Sequence, residues 1–190
     1  YPFTTSSNAT VCGAPAGTGV PPRQIHRVLG ILKAYITRVG NGPLPSEMDD
    51  KLGSEIREKG GEFGATTGRP RRCGWFDVLA ARYSSLINGV DALIITKLDV
   101  LDEQKTLKVC VGYNCDQKRY DRFPSNLAAF SHCEPIYEEF PGWNQDTTNI
   151  STKNKLPERA IEYLNAIEKM VDVKVEMVSV GPDRKQIIKY

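Results

Sequence analysis

The chain has 190 residues, 40% of them hydrophobic and 25% charged, with a formal net charge of +2. That balance is ordinary for a folded α/β protein with a sizeable core, and it argues against binding nucleic acid or anionic membrane through bulk charge. No apolar run approaches the ~18 residues needed to span a bilayer, so no membrane partner and a cytoplasmic location are expected.

In chain order, residues 11–21 read as a glycine- and alanine-rich loop. Pro21 and Pro22 are expected to open a helix whose apolar side is Val28, Leu29, Ile31, Leu32 and Tyr35, ending at Gly40 before a turn over 42–45. A short helix is expected over 50–59, and a longer one over 75–86 with Trp75, Val78, Leu79 and Leu86 at helical spacing. The run 90–95, apolar except for Asp91, has the length and β-branched content of a buried strand. Leu107, Val109, Val111 and Tyr113 alternate with Lys108, Cys110 and Gly112 as in a half-exposed strand, and a turn over 114–118 predicts a hairpin. Pro157 opens a helix through Met170, and 173–180 reads as a late strand ending at Gly181 and Pro182. No repeat or linker divides the chain.

Two stretches carry chemistry. In Gly64-Ala65-Thr66-Thr67-Gly68-Arg69-Pro70-Arg71-Arg72-Cys73-Gly74, glycines permit close backbone approach and positive φ, so consecutive N–H groups can form an anion nest. Thr66 and Thr67 add hydroxyls, and Arg69 and Arg71 add planar forks that match carboxylate or phosphate. The bland alternative is a basic surface turn or a short targeting patch. The loop is expected to feed directly into the N-terminus of the 75–86 helix, where the dipole favours negative charge. The second stretch, Thr96-Lys97-Leu98-Asp99, closes the apolar strand, where open α/β sheets place their ligands. A carboxylate there accepts from guanine N1–H and N2–H₂, a pair that adenine lacks. Alone, this tetrapeptide reads better as the charged exit of a strand.

Cys12, Cys73, Cys110, Cys115 and Cys133 contain no C-x-x-C pair, and reduced thiols are expected. The sequons at Asn8 and Asn149 read as chance matches, and His26 and His132 as ordinary surface or loop residues.

Taken together, these words and their flanks resemble the adenylosuccinate synthetase family. The resemblance is carried by Tyr1-Pro2-Phe3-Thr4-Thr5-Ser6-Ser7-Asn8, Val28-Leu29-Gly30-Ile31-Leu32-Lys33-Ala34-Tyr35, Thr37-Arg38-Val39-Gly40, the run 61–74 and the run 96–102. Glu134-Pro135-Ile136-Tyr137, Pro141-Gly142-Trp143 and Gly181-Pro182-Asp183-Arg184 complete it in the family's order. It implies the C-terminal portion of one domain, residues 1–190, in a mostly parallel sheet like that of P-loop NTPases, with flanking helices and an additional β-hairpin. The family's phosphate-loop portion, catalytic residues and Mg²⁺ ligands are expected upstream, so the isolated segment is expected to be inactive.

The implied reaction joins L-aspartate to IMP with GTP, and the implied assembly is a homodimer. Residue by residue, Thr5, Val39 and Arg69 would bind IMP, and Ala65, Thr66, Thr67, Gly68, Arg69, Pro70 and Arg71 would bind aspartate. Arg71, Lys97, Leu98, Asp99, Ser179, Val180 and Gly181 would bind GTP. Pro70 departs from the family, many members of which carry Arg there; it stiffens the loop and removes one cation. Two other readings compete: a guanine-nucleotide-binding module without catalysis, and an RNA-binding fragment, which the near-neutral charge opposes.

Overall fold

The computed structural model describes residues 8–125 and 130–190. In chain order these form α1 (Gly13–Thr18), β1 (Leu29–Lys33), β2 (Ile36–Arg38), α2 (Asp50–Gly60), β3 (Arg72–Gly74), β4 (Phe76–Asp77) and α3 (Val78–Asn88). Then come β5 (Ala92–Thr96), β6 (Thr106–Cys115), β7 (Lys118–Tyr120), β8 (Glu134–Pro141), α4 (Glu158–Val171), β9 (Val175–Ser179) and β10 (Ile187–Lys189). The central sheet runs β1-β5-β9-β10, its first three strands parallel and β10 antiparallel to β9. In a second sheet β4 lies parallel to β6, which pairs antiparallel with β7 and β8. The architecture is α/β, with a mostly parallel central sheet, flanking helices and the expected hairpin.

The core follows from helical spacing. Ala160, Tyr163, Leu164, Ile167 and Val171 put one stripe of α4 inward, and each fully buried Leu or Ile contributes about 1.5–3 kcal/mol. The Tyr163 hydroxyl donates to the Ala34 carbonyl at 2.7 Å, which ties α4 to the exit of β1. β1, β5 and β9 therefore finish side by side at Lys33, Thr96 and Ser179, on one edge of the sheet.

Several sequence expectations fail for physical reasons. Residues 13–18 form α1 rather than loop, closed by Gly19 at φ 74°. The helix expected after Pro22 shrinks to a 3₁₀ turn at Pro22–Gln24, and residues 29–33 are strand. Gly30 decides this, because a Cβ there would meet Val90 Cγ1 at 2.9 Å and Leu93 Cδ2 at 3.1 Å; the backbone is in close contact across the sheet. The helix expected from Trp75 begins at Val78, after two short strands, so the arginine loop does not feed it. Asp77 caps that helix by accepting from the Ala80 N–H at 3.0 Å, and it also accepts from the Tyr113 hydroxyl. The helix N-terminus is thus already occupied by a carboxylate.

Alternation in β6 breaks at a bulge between Cys110 and Gly112, so Val109 and Cys110 are both buried. The hairpin turn is tight, with Asp116 and Gln117 at φ 50° and 62° between the paired Cys115 and Lys118. Cys115 and Cys133 form a disulfide, against the expectation of reduced thiols throughout, while Cys12, Cys73 and Cys110 are free. Cys115 ends β6 and Cys133 directly precedes β8, and the antiparallel pairing of Asn114 with Glu134 brings the two together, which their sequence separation of 18 does not reveal.

Candidate functional site

The word Thr96 to Asp99 sits where the strand pattern predicts. β5 ends at Thr96, Lys97 turns the chain at φ 59°, and the 3₁₀ turn Leu98–Leu101 follows. Leu98 points into the core and is fully buried, so only its backbone is available to a ligand. Asp99 is half-buried, and its Oδ1 is buried without a hydrogen-bond partner among the described residues. Burial, helped by the nearby Asp102 charge, pushes the Asp99 carboxyl above its usual range. It opens on a cleft of about 320 Å³ that Lys59, Asn144, Gln145 and Thr148 help to line.

Asp102, three residues on, is the instructive contrast. It accepts from Trp143 Nε1 at 2.6 Å, from the Thr147 N–H at 2.7 Å and from the Thr147 hydroxyl at 3.0 Å. One buried carboxylate is used up by the fold, and the other is left with an open acceptor.

The late strand brings Ser179, Val180 and Gly181 to the same edge, because Ile95 pairs with Val178. The Ser179 hydroxyl donates to the Gly181 carbonyl at 2.7 Å, and the Val180 N–H donates to the Gln186 carbonyl at 2.9 Å. The Val180 side chain is buried. Gln186 Nε2 in turn donates to the carbonyl of Thr148, a wall of the Asp99 cleft, at 2.9 Å.

The arginine loop is a closed hairpin. Phe63 bridges Pro70, the Gly64 N–H donates to the Arg69 carbonyl at 2.8 Å, and the Arg71 N–H donates to the Glu62 carbonyl at 2.9 Å. Pro70 lies between those bonds, so its missing N–H costs the ladder nothing. Gly68 turns the tip at φ 63°, and Ala65, Thr66, Thr67, Gly68 and Arg69 are all exposed.

The three arginines that look alike in sequence have different surroundings. Arg69 has no side-chain partner among the described residues. Arg71 gives NH1 to Glu62 at 2.6 Å. Arg72 is spent on structure: Nε donates to Glu47 at 2.8 Å, NH2 donates to the same carboxylate, and NH1 donates to the Gly42 carbonyl at 2.7 Å. Val39, one residue beyond β2, is exposed beside the β2–β3 pair; Thr5 lies outside the described residues.

Sequence reasoning missed the hub of the site, Glu62. Its side chain is wholly buried and joined to Lys33 at 2.7 Å, Arg71 at 2.6 Å and Lys97 at 3.2 Å, and it accepts from the Tyr35 hydroxyl at 2.7 Å. Burial alone would raise its pKa, but hydrogen bonds from Lys33, Tyr35 and Arg71 outweigh that and hold it down at about 2. A signal was present in Gly60-Gly61: α2 closes on Gly61 at φ 58°, and a Cβ on Gly60 would collide with the Tyr35 hydroxyl. Lys33 also follows its apolar strand much as Lys97 follows β5.

The adenylosuccinate synthetase family profile matches residues 1–188. Adenylosuccinate synthetases from Trichlorobacter lovleyi and Alkaliphilus metalliredigens are each 52% identical, over 98% and 99% of this chain, but the chain spans only 43% and 44% of their lengths. The solved structure of fully ligated adenylosuccinate synthetase from Plasmodium falciparum superposes with a TM-score of 0.96 at 38% identity, covering 100% of this chain and 46% of that one. With a profile match over nearly every residue and the same backbone in a solved relative, the chain belongs to the adenylosuccinate synthetase family.

Proposed function

We propose that the protein carrying this chain joins L-aspartate to IMP at the expense of GTP, giving adenylosuccinate, GDP and phosphate. The open acceptor of Asp99, at the carboxyl end of a parallel strand beside Lys97, carries the reading. A buried carboxylate oxygen without a partner costs the free fold stability, and guanine N1–H and N2–H₂ would satisfy it. Lys97, the Leu98 backbone and the Ser179, Val180 and Gly181 segment would close round the base.

In the reaction, the GTP γ-phosphoryl group passes to O6 of IMP, and the aspartate amine then displaces phosphate from C6. Such transfers depend on positioning and charge neutralisation. The exposed tip, Ala65 to Gly68, would bring N–H groups and hydroxyls to the aspartate carboxylates, with Pro70 holding the loop stiff. Arg69, whose side chain has no partner among the described residues, would clamp aspartate and reach the IMP ribose. Arg71 would face aspartate and GTP with the edge that Glu62 leaves open. Thr5 would contact the IMP phosphate, and Val39 its ribose.

Mg²⁺ would accompany GTP and neutralise phosphate charge. Among the described residues no three His, Cys, Asp or Glu side chains converge to hold a metal. A homodimer and a cytoplasmic location belong to the same reading; no helix is long and apolar enough to cross a membrane among the described residues.

The test is phosphate release by the full-length protein, which should require IMP, aspartate and GTP together. Residues 1–190 alone should give none. Release independent of aspartate or IMP would overturn the assignment.

A further inference from the structure

The four groups around Glu62 come from separate parts of the chain. Lys33 and Tyr35 flank the exit of β1, Arg71 is the root of the arginine loop, and Lys97 begins the base-reading turn. The side chains of Lys33, Arg71 and Lys97 are 26%, 28% and 34% exposed, while that of Glu62 is 0% exposed. The anion therefore lies beneath and the cations line the surface above it. Three positive charges against one negative leave an array that is still cationic and faces outward.

Each cation is held by Glu62 and keeps further donors. Arg71 gives only NH1 to Glu62, so Nε and NH2 have no protein partner among the described residues. Lys33 is also fixed by Thr37 Oγ1 at 2.8 Å, and Lys97 by the Gly60 carbonyl, which leaves each ammonium one further proton to donate. The backbone reinforces the arrangement, because Arg57 Nε donates to the Arg71 carbonyl at 2.7 Å.

We propose that Glu62 is a positioning residue: a buried counter-ion that locks Arg71 of the arginine loop and Lys97 of the base-reading turn into one array, so that the aspartate and nucleotide subsites are set together. The inference rests on the GTP- and aspartate-dependent reading given above. Without the Glu62 charge, Arg71, Lys33 and Lys97 repel one another at close range, and the two loops lose their shared anchor. Arg69 and Val39 are not bonded to Glu62, so contacts to IMP should be spared.

The test is steady-state kinetics of the full-length enzyme carrying Glu62→Gln or Glu62→Asp, with thermal unfolding to establish that each variant folds. Gln keeps the acceptor for Tyr35 but removes the charge; Asp keeps the charge and withdraws it by one methylene. For Glu62→Gln, KM for GTP and for aspartate should rise together by roughly 10- to 100-fold, the scale of a displaced positioning contact, while KM for IMP stays within about twofold. Glu62→Asp should fall between the two. A purely structural residue would lower the active fraction, and thus kcat, without this split. Unchanged KM values in a folded variant, an equal rise for all three substrates, or failure of both variants to fold would each overturn the proposal. Absence of turnover by the unsubstituted enzyme would instead bring down the functional reading, and this one with it.

Discussion

Replacing Asp99 by Asn separates the cost of an orphaned carboxylate from its use. In the free protein Oδ1 is buried without a partner, and burial pushes the carboxyl's pKa up. An amide of the same shape carries no charge to desolvate, so thermal unfolding of the ligand-free enzyme should be unchanged or shifted upward. With guanine bound, the carboxylate would accept two charge-assisted hydrogen bonds of about 1.5–3 kcal/mol each, whereas Asn accepts one neutral bond and turns its own N–H₂ against the second donor. A net loss of about 3–4 kcal/mol lowers kcat/KM for GTP by about 100- to 1000-fold. ITP, which lacks the 2-amino group, should lose less, and XTP should improve because its 2-carbonyl accepts from the new amide. Coupled phosphate release with the three nucleotides measures this pattern. Equal losses for all three with a lowered unfolding midpoint would mean damage to the fold; unchanged constants would remove Asp99 from the base site.

The arginine loop gives a paired prediction. Arg69→Leu should leave stability nearly unchanged and lower kcat/KM for aspartate by orders of magnitude, since truncating one partner of a charge-assisted pair costs about 2–5 kcal/mol. Arg72→Leu should destabilise by about 1–3 kcal/mol through Glu47 and the Gly42 carbonyl, with milder kinetic effects in the folded fraction. Kinetics alongside urea unfolding decides between them, and the reverse pattern would show the loop register to be wrong. Glu62 makes stability pH-dependent: its pKa of about 2 lies below the ordinary 4.5, so its contribution is full above about pH 4.5 and fades as pH falls toward 2. That contribution is about 3 kcal/mol, and urea titrations across this window should show a shallower acid decline for Glu62→Gln than for the native sequence. Alkylation of the denatured, unreduced protein should label Cys12, Cys73 and Cys110 and spare Cys115 and Cys133; labelling of all five would refute the disulfide.

What was legible in the sequence was mostly local. The strand before Thr96, the helices over α2 and α4 and the hairpin turn each announce themselves by periodicity or by flanking glycine and proline. The stretch 28–35 misled because Val28, Leu29, Ile31 and Leu32 fit both a helix face and a short buried strand; Val90 and Leu93, some 60 residues away, settle the matter by packing on Gly30. Trp75 has helical spacing with Val78 but precedes the helix, because the pairing of β4 with β6 takes Phe76 and Asp77 first. The two words stand out in the sequence because they are contiguous, whereas Glu62 gathers its partners from positions 33, 35, 71 and 97, with only the adjoining Gly60-Gly61 pair as a local sign.

The two carboxylates also explain how one edge of a sheet is both stable and unfinished. Glu62 is saturated, with two hydrogen-bonded cations on one oxygen and a phenol and a third cation on the other, so it rigidifies the loops that meet there. Asp99 has a buried oxygen without a hydrogen-bond partner among the described residues, so the same edge keeps an acceptor that the proposed guanine would fill. Arg69 repeats the division on the cationic side, its side chain without a partner among the described residues where Arg72 is engaged by Glu47 and the Gly42 carbonyl. Groups that the fold satisfies completely hold the frame, and on the proposed function the adjoining groups it leaves open would face the substrates. That division, rather than residue type, predicts which substitutions will fail in kinetics and which in unfolding.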